Sequence, residues 1–326
     1  MQGRLDVVVP VRDAAQFVPT FVRSADANAP EGVRYLVVDD ASTDETPRLL
    51  AQAARTRPWL RVIRNDAPRG AAGARNVAMG LVDAARVTFA DVDDWSAPGH
   101  VAAVLGHAER LGVDMVRTDH VRVTGLRRVR ELAPSPVRDE PFAAEDGIGE
   151  PGGQTLVDYP YLWAGVFDVR LARRGLLEFD ESLRTASDRP WFWRLHLAGT
   201  TCAVVDSPGY YYRRNTGSGS LTENAGDATL DFLPAYERVL DLGLTSSTAS
   251  HRRRALYGAC RIVAYHVGRR ERLSRPLQRR LLLGASHLLA RGDDETFAAA
   301  LSQAPARAVR LLAGLRRAGL EAGARS

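Results

Sequence analysis

Short apolar runs alternate with amphipathic stretches along the first hundred residues. The run LDVVVPV at 5–11 is apolar and β-branched, as expected for a strand buried on both faces of a parallel sheet. Similar runs predict strands at 35–38, 60–64 and 86–90, and amphipathic stretches predict helices at 13–28, 47–56 and 71–85. This alternation predicts βαβ units, and therefore an α/β fold with a mostly parallel sheet covered by helices on both faces.

After residue 100 the sequence predicts a region of mixed helices, strands and loops, followed by a region of helices. The sequence predicts a helix at 101–111, a strand at 113–124, a long surface loop at 131–160, a helix beginning near Asp188, a strand at 200–206 and a loop at 209–222. Amphipathic helices are predicted from there on, at 229–241, 252–268, 275–290, 294–301 and 305–318. We therefore predict an α/β domain over 1–225 and a helical, Arg-rich region over 226–326.

Polar side chains follow the ends of the first four predicted strands. Asp13, Asp39-Asp40, Asn65-Asp66 and Asp91-Val92-Asp93 stand at these positions. Because ligands of open α/β sheets bind at the carboxyl ends of the strands, these side chains predict a ligand site at one sheet edge.

The segment VTFADVDDW carries the densest group of carboxylates. Asp91, Asp93 and Asp94 fall within four positions, and carboxylates crowded together need a cation to offset their repulsion. Alternation along an extended chain puts Asp91 and Asp93 on the same side, where they can share Mg²⁺ or Mn²⁺ with the phosphates of a substrate. For this motif alone, a solvated acidic turn before the next helix is the competing interpretation.

Composition narrows the class of protein. At 326 residues, 45% hydrophobic and 25% charged, the chain is typical of a globular protein. The sequence shows no run of 18 apolar residues and no signal-peptide pattern, and two cysteines are too few for a disulfide framework, so we expect a cytoplasmic protein.

Positive charge is concentrated at the carboxyl end. All 44 basic residues are arginine, and from residue 251 onward there are 16 of them against five acidic residues, a net charge of +11. The whole chain carries +5, so the first 250 residues carry −6. A basic tail on an acidic body suggests contact with an anionic surface. Nucleic acid is not favoured as a partner, because no nucleic-acid-binding motif accompanies the arginines.

Four segments together resemble the family-2 inverting glycosyltransferases, which have the GT-A nucleotide-sugar fold. They are VVVPVRDAAQFV, YLVVDDASTDETPRLL, APRGAAGARNVAM and VTFADVDDW, and the resemblance extends over about residues 4–222. The family's first loop usually carries Tyr-Asn where Arg12-Asp13 stands here.

The resemblance implies roles for individual residues. Pro10, Asp13 and Asp40 would line the pocket for base and ribose, and Arg75 would contact the nucleotide and hold the acidic cluster. Asp91 would face the ribose, and Asp93 would bind the metal that bridges the pyrophosphate. Against these roles, Asp39 and Asp40 can simply cap the helix that follows Ser42, and Arg75 can be a surface residue.

The second half resembles the family in two further segments. TASDRPWFW resembles the segment whose aspartate deprotonates the acceptor hydroxyl, which implies Asp188 as general base, although an N-cap role suits it as well. YYYRRNTGSGS resembles the loop after that helix, which implies that Arg213 or Arg214 and the serines up to Ser220 close over the pyrophosphate. A flexible exit linker is an equal alternative for this segment. Trp163 is either an acceptor platform or a core residue.

We therefore expect a metal-dependent inverting glycosyltransferase of the type that builds cell-wall or surface polymers. Its donor would be a nucleoside diphosphate sugar, with UDP as the favoured nucleotide, and its acceptor a saccharide, a polyol-phosphate or a lipid-linked glycan. Two alternatives remain open at this point: a sugar-phosphate nucleotidyltransferase, although the first loop lacks the expected glycines, and a non-catalytic scaffold that binds nucleotide sugar. The basic helices could bind the inner face of a membrane, mediate a homo-oligomer, or pack internally.

Overall fold

The four amino-terminal strands form one parallel half-sheet. The computed structural model describes residues 4–135, 137–214, 227–302 and 304–324. In it β1 (Leu5–Val11), β2 (Val33–Asp39), β3 (Leu60–Arg64) and β4 (Arg86–Phe89) lie side by side in the order β3-β2-β1-β4. The apolar β-branched runs of β1 and β2, the inner strands, are buried, and the predicted strands and their parallel pairing are confirmed.

The same sheet continues beyond β4 with strands of mixed direction. β10 (Gly165–Asp168) runs antiparallel between β4 and β6 (Met115–Thr118), followed by β11 (Thr201–Val205) and β9 (Phe142–Ala143). Sequence analysis predicted β11 but not β10 or β9, which are four and two residues long and carry too little pattern to recognise.

A second sheet of four strands has the order β5-β12-β7-β8. Its members are β5 (Trp95–Ser96), β12 (Tyr210–Arg214), β7 (His120–Thr124) and β8 (Arg127–Glu131). Two predictions are corrected here. The predicted strand at 113–124 is divided at Asp119 into β6 and β7, which belong to different sheets. The buried carboxylate of Asp119 accepts a hydrogen bond from the Ala133 N–H at 2.8 Å. The predicted loop at 209–222 begins as the strand β12.

Helices α1 (Val18–Asp26), α2 (Thr46–Ala54), α3 (Gly70–Met79), α4 (His100–Leu111) and α5 (Arg170–Arg173) accompany these strands. The predicted helix at 13–28 begins only at Val18, because Asp13 has a φ of 44° and turns the chain toward the loop after β2. The predicted helix at 71–85 ends at Met79. Apolar faces of α1 and α4 pack with the sheet into one core, which contains Phe21, Val37 and Leu105.

The described residues form two compact units. The first contains those of 1–144, 159–184 and 199–218, and the second those of 145–158, 185–198 and 219–326. The helices of the second unit are α6 (Asp188–Leu197), α7 (Phe232–Leu244), α8 (Ala249–Val267), α9 (Arg275–Ala290), α10 (Asp294–Ala300) and α11 (Ala306–Gly323). Its core contains Tyr236, Leu256 and Leu289. The predicted domain boundary near residue 225 stays a prediction.

The helices predicted for the carboxyl-terminal region are confirmed in type and approximate position. On α9 the predicted stripe is real: Leu281 and Leu289 are buried, and Leu277 and Leu282 pack against the same core. In the described part of the chain, no helix combines the length and apolar character needed to cross a bilayer.

Candidate active site

Asp13 joins the loops that follow β1 and β2. Its backbone N–H donates to Ser42 Oγ at 2.9 Å, and its Oδ1 accepts from the Thr43 N–H at 2.7 Å. The bond from Thr43 lowers the pKa of Asp13, whose side chain is 42% exposed and therefore remains an accessible carboxylate at neutral pH. Pro10 lies half-buried in β1, beside Val38 of β2.

Asp40 is buried and anchors the start of α3. Its Oδ1 accepts from Asn65 Nδ2 at 2.7 Å and from the Arg69 N–H at 2.8 Å, and its Oδ2 accepts from the Gly70 N–H at 2.8 Å. Gly70 has a φ of 73°, a conformation that favours glycine. Asp40 therefore links the ends of β2 and β3 to the amino terminus of α3.

Neither Asp39 nor Asp40 caps α2, which begins at Thr46 after the N-cap residue Glu45, so the helix-capping alternative is wrong. Asp39 Oδ1 accepts from the Ser42 N–H at 3.0 Å, and Asp39 is also ion-paired with Arg64. Asp40 instead stabilises α3, through the donors from Arg69 and Gly70.

The acidic cluster directly follows β4 and is unevenly buried. The side chain of Asp91 is 34% exposed, whereas Asp94 is 2% exposed. Burial, with the negative charge of Asp91, raises the pKa of Asp93 to about 6. Burial followed by the charges of Asp91 and Asp93 raises the pKa of Asp94 well above its ordinary value. The three carboxylates therefore repel one another, as the sequence predicts, and positive charge beside them would stabilise their ionised forms.

Arg75 supplies positive charge on one side of the cluster. It projects from α3, and its Nη2 lies 3.4 Å from Asp91 Oδ1. Its guanidinium carbon lies 5.5 Å from the ring centroid of Phe179, and its side chain is 13% exposed. Arg75 Nε is buried and, within the described residues, has no hydrogen-bond partner. Arg75 is therefore a partly enclosed residue beside Asp91, and the surface-residue alternative is wrong.

Strand β12 encloses the cluster on another side. The Tyr210 hydroxyl donates to Asp94 Oδ2 at 3.0 Å and accepts from the Asp91 N–H at 3.1 Å. The Arg213 N–H donates to Asp94 Oδ1 at 2.6 Å. These bonds satisfy the buried Asp94 from within the protein, so Asp94 acts as the support that joins β12 to the loop after β4.

Arg213 brings a second guanidinium to the cluster. Its guanidinium carbon lies 4.8 Å from the ring centroid of Trp95 and 5.5 Å from that of Phe17. Its positive charge acts to lower the pKa of Asp93, against the larger effect of burial. Arg214 is placed differently, with its Nη1 donating to the Tyr212 hydroxyl at 3.0 Å. Of the two arginines considered from sequence, Arg213 is therefore the one whose charge acts on the acidic cluster.

Trp163 is a core residue of this region. It is 6% exposed and stacks on Tyr210, with ring centroids 4.3 Å apart and planes 7° from parallel. Tyr161 covers it at 4.8 Å. With its rings covered in this way, Trp163 supports the position of Tyr210.

Two of the sequence-predicted residues lie outside this group. Asp188 belongs to the second unit and is the first residue of α6, so Ser187 rather than Asp188 occupies the N-cap position. Ala186, two residues earlier, has a φ of 58°, an uncommon value for a residue with a side chain. Ser220 lies outside the described residues.

The described residues contain no group of three or more His, Cys, Asp and Glu side chains placed to hold a metal ion by themselves. Asp94 accepts hydrogen bonds from the Tyr210 hydroxyl and the Arg213 N–H, so Asp91 and Asp93 are the carboxylates of the cluster that remain available to a metal ion. Mg²⁺ is often held by only one or two carboxylates, with substrate phosphates and water as the remaining ligands.

Sequence reasoning missed the residues that reach the site from far along the chain. Tyr210 lies 119 residues from Asp91, and no local pattern marks its hydroxyl as a partner of the cluster. Glu181 similarly holds α3, accepting from Asn76 Nδ2 at 3.0 Å and Arg69 Nη2 at 2.7 Å. The resemblance includes the GARN segment that contains Asn76, but no sequence spacing identifies Glu181 as the partner of Asn76.

A parallel half-sheet with carboxylates at its carboxyl edge, extended by a mixed sheet, defines the protein as a transferase with the GT-A fold. Residues 6–169 match Glycosyl transferase family 2. The chain belongs to this family and is a glycosyltransferase, which confirms the resemblance found in the sequence.

Several known proteins resemble the chain along most of its length. It is 30% identical over 255 residues to the succinoglycan biosynthesis protein ExoO of Rhizobium meliloti, covering 76% of this chain and 71% of that protein. It is 26% identical over 239 residues to ExoU of the same organism, covering 71% and 67%. The structure of S. aureus TarS 1–349 with UDP-GlcNAc aligns with a TM-score of 0.73 at 17% identity, over 98% of this chain and 88% of that one. This last likeness confirms the fold.

Proposed function

We propose that this glycosyltransferase is metal-dependent and inverting, and that it moves a sugar from a UDP-linked donor to a hydroxyl of a surface-polymer precursor. The acceptor classes that we propose are a saccharide, a polyol-phosphate and a lipid-linked glycan. The succinoglycan biosynthesis proteins support a polysaccharide product, and the UDP-GlcNAc complex of TarS supports a UDP-linked donor. We further propose a cytoplasmic location.

The observation that carries this proposal is the pairing of acidic and basic groups at the end of β4. Asp91 and Asp93 lie there together with Arg75, and Arg213 contributes its charge from β12. A nucleoside diphosphate is an anion that guanidinium groups bind with charge-assisted hydrogen bonds. We assign Arg75 and Arg213 to the donor diphosphate, Asp91 to the ribose side, and Pro10, Asp13 and Asp40 to the pocket for base and ribose.

The residues present fit a divalent cation. Asp93 has a pKa raised by burial and by the charge of Asp91, so the cluster carries negative charge that the nearby arginines only partly offset. Asp93, with Asp91 beside it, would hold Mg²⁺ or Mn²⁺ through the oxygen ligands these ions prefer. When bound, such an ion neutralises charge that develops on a diphosphate leaving group.

We assign the general base to Asp188. Inverting transfer requires a carboxylate that removes the proton of the acceptor hydroxyl as it attacks the sugar carbon. The support for Asp188 is the family resemblance of its segment and its place at the very start of α6, after the strained Ala186. Ser220, in the segment after β12, is proposed as a further donor contact on the same resemblance.

Calorimetric titration with UDP, with and without Mn²⁺, tests the donor and metal assignments. We expect Asp93→Asn to abolish transfer and to remove the dependence of UDP affinity on Mn²⁺, because Asp93 is assigned as the direct ligand. The matched control is Glu31→Gln, an exposed acidic residue that precedes β2 and should leave this dependence unchanged. If Asp93→Asn keeps the wild-type response to Mn²⁺, the metal assignment is wrong.

A further inference from the structure

Two consecutive residues of α3 contact the same residue far along the chain. The guanidinium carbon of Arg75 lies 5.5 Å from the ring centroid of Phe179. Asn76, the next residue, holds the backbone of Phe179 over a separation of 103 residues: its Oδ1 accepts from the Phe179 N–H at 2.9 Å, and its Nδ2 donates to the Phe179 carbonyl at 2.9 Å. One amide therefore fixes both backbone groups of the residue whose ring supports Arg75.

The ring of Phe179 is also held by the sheet. Phe89, the last residue of β4, meets it edge to face, with centroids 5.6 Å apart and planes 87° from parallel. Phe179 is buried, so its ring cannot turn without displacing these neighbours. With its backbone held by Asn76 and its ring held by Phe89, Phe179 is a fixed support for the guanidinium of Arg75.

Glu181 determines which way the amide of Asn76 faces. Its Oε1 accepts from Asn76 Nδ2 at 3.0 Å, and that hydrogen bond is the main cause that lowers the pKa of Glu181. An ionised carboxylate only accepts hydrogen bonds, so it requires the nitrogen of the amide on its side and leaves the oxygen for the Phe179 N–H. Arg69 also donates to Glu181, and a Cβ at Gly73 would lie 2.5 Å from Arg69 Cβ, so glycine provides the space for this contact.

Packing on a ring holds Arg75 without using its N–H groups. Arg75 Nη2 lies 3.4 Å from Asp91 Oδ1, near the upper limit for a hydrogen bond, and its buried Nε has no hydrogen-bond partner among the described residues. A guanidinium has five N–H donors in a fixed planar arrangement, and a phosphate group can accept two of them in parallel. A side chain held in advance by a ring loses less freedom when it binds an anion.

We propose that Asn76 is a positioning residue for the donor: by fixing Phe179, it directs the guanidinium of Arg75 toward the donor diphosphate. The proposal rests on the proposed function, in which Arg75 binds that diphosphate. Asn76 acts through Phe179 and Arg75, so its effect should be confined to the phosphates. Recognition of the base and ribose, which is assigned to other residues, should not depend on it.

Asn28 is a matched control for Asn76. Its Oδ1 accepts from the Val101 N–H at 3.1 Å, and its Nδ2 donates to the Ser24 carbonyl at 3.0 Å. Like Asn76, it belongs to the first unit and joins two backbone groups through one amide, but these groups do not support Arg75. Loss of amide hydrogen bonds should therefore reduce stability in both variants and diphosphate affinity in the Asn76 variant alone.

The test compares binding of UDP, by calorimetry with Mn²⁺ present, with binding of uridine, by saturation-transfer NMR. We expect Asn76→Ala to weaken UDP binding about tenfold and to leave uridine binding unchanged. Asn28→Ala should bind both ligands as the wild type does. Phe179→Leu keeps the backbone bonds to Asn76 but removes the ring face, so it should weaken UDP binding to a similar extent.

The double variant of Asn76→Ala and Phe179→Leu shows whether the two residues act through one contact. It should bind UDP no more weakly than the weaker of the two single variants, because each already removes the support of Arg75. Losses that add in full would overturn the proposal. So would wild-type affinity for UDP in Asn76→Ala, or equal losses for UDP and uridine, which would indicate a general disturbance of the pocket. If Asn76→Ala does not fold, Phe179→Leu decides by the same comparison of UDP with uridine.

Arg75→Gln separates a failure of this inference from a failure of the proposed function. If this variant binds UDP as the wild type does, the assignment of Arg75 to the diphosphate is wrong. If it loses affinity for UDP while Asn76→Ala does not, the diphosphate assignment holds and only the positioning role of Asn76 is wrong.

Discussion

Asp188 is the single residue on which the proposed chemistry depends most. It lies in the first turn of α6, where a carboxylate interacts favourably with the helix dipole by about 0.3–1 kcal/mol. We expect Asp188→Asn to lower turnover about 100-fold or more, as for a lost general base, while the affinity for UDP is retained. The free energy of unfolding should change by less than about 1 kcal/mol.

Ser187→Ala is the matched control for Asp188→Asn. Ser187 occupies the N-cap position but its side chain makes no capping hydrogen bond, so this variant should retain wild-type turnover and stability. Steady-state kinetics and urea unfolding on both variants distinguish a role of Asp188 as general base from a role in stabilising α6. Near wild-type turnover in Asp188→Asn would show that Asp188 contributes to the helix alone.

His120 gives the structure a dependence on pH. It is 1% exposed, its Nδ1 lies 2.5 Å from the Tyr159 hydroxyl, and burial lowers its pKa to about 4. Unfolded histidine has a pKa of about 6.5, so below that pH the unfolded chain binds a proton that the folded chain does not bind until about pH 4. Stability is therefore lost as the pH falls through this window, by about 1.4 kcal/mol for each unit of pKa difference.

Urea unfolding at several pH values between about 7 and about 4.5 measures this loss. We expect His120→Phe to reduce the dependence of the unfolding free energy on pH, whatever its effect on the value at neutral pH. His100 has its pKa lowered to about 4 by burial in the same way, so His100→Asn should reduce the dependence independently. A wild-type slope in His120→Phe would mean that the pKa of His120 is the same in the folded and unfolded states.

At the scale of elements, the contact between β12 and the loop after β4 organises the site. The Tyr210 hydroxyl connects them by donating to Asp94 and accepting from the Asp91 N–H. Tyr210→Phe removes both bonds and leaves a buried carboxylate with one donor fewer, which should lower the free energy of unfolding by about 1–3 kcal/mol. Tyr211→Phe removes a hydroxyl from the adjacent residue, which is partly exposed, and should have a much smaller effect. Equal losses in the two variants would exclude a special role for the Tyr210 hydroxyl.

The elements that sequence predicted well are those whose pattern is local and long. Apart from Asp6, strand β1 is apolar, and it is buried in a parallel sheet; α9 carries a stripe of leucines, so both could be located from their pattern alone. Strand β5 has two residues and β10 four, and each is defined by partners elsewhere in the chain. These two strands therefore cannot be predicted from the residues around them in the sequence.

For the candidate site, the sequence predicts which residues lie at the strand ends but not which groups they bond to. Parallel strands bring their carboxyl ends together, so the positions of Asp13, Asp40 and Asp91 follow from the alternation of elements. The hydrogen bonds that their carboxylate oxygens accept cannot be predicted in this way, because the donors come from other loops. Asp40 is an example: its position at the end of β2 can be predicted, but its donors, Asn65 Nδ2 and the N–H groups of Arg69 and Gly70, lie in the segment after β3.

At the scale of the whole molecule, charge is divided along the sequence. Residues from 251 onward carry +11 and the preceding residues −6. The leucines of α9 pack inside the second unit, which confirms internal packing for that stripe and leaves the exposed arginines to be explained. On α11, Arg310 and Arg317 are exposed one heptad apart, and Leu320, one turn beyond Arg317, is 45% exposed.

We predict that this basic surface of α11 binds anionic membranes reversibly. Each basic residue near an anionic bilayer contributes about 1 kcal/mol, and the attraction weakens within a Debye length as salt increases. Flotation with liposomes of anionic or neutral lipid should show binding to the anionic liposomes at low salt only. Arg310→Glu combined with Arg317→Glu should abolish it, because two charges are reversed at the surface. Arg55→Glu combined with Arg61→Glu reverses two exposed charges of the first unit and should leave liposome binding unchanged.

Binding that is absent, or that is indifferent to lipid charge and salt, would leave solvation or self-association as the role of the arginines of α11. Light scattering would then distinguish a dimer from a monomer.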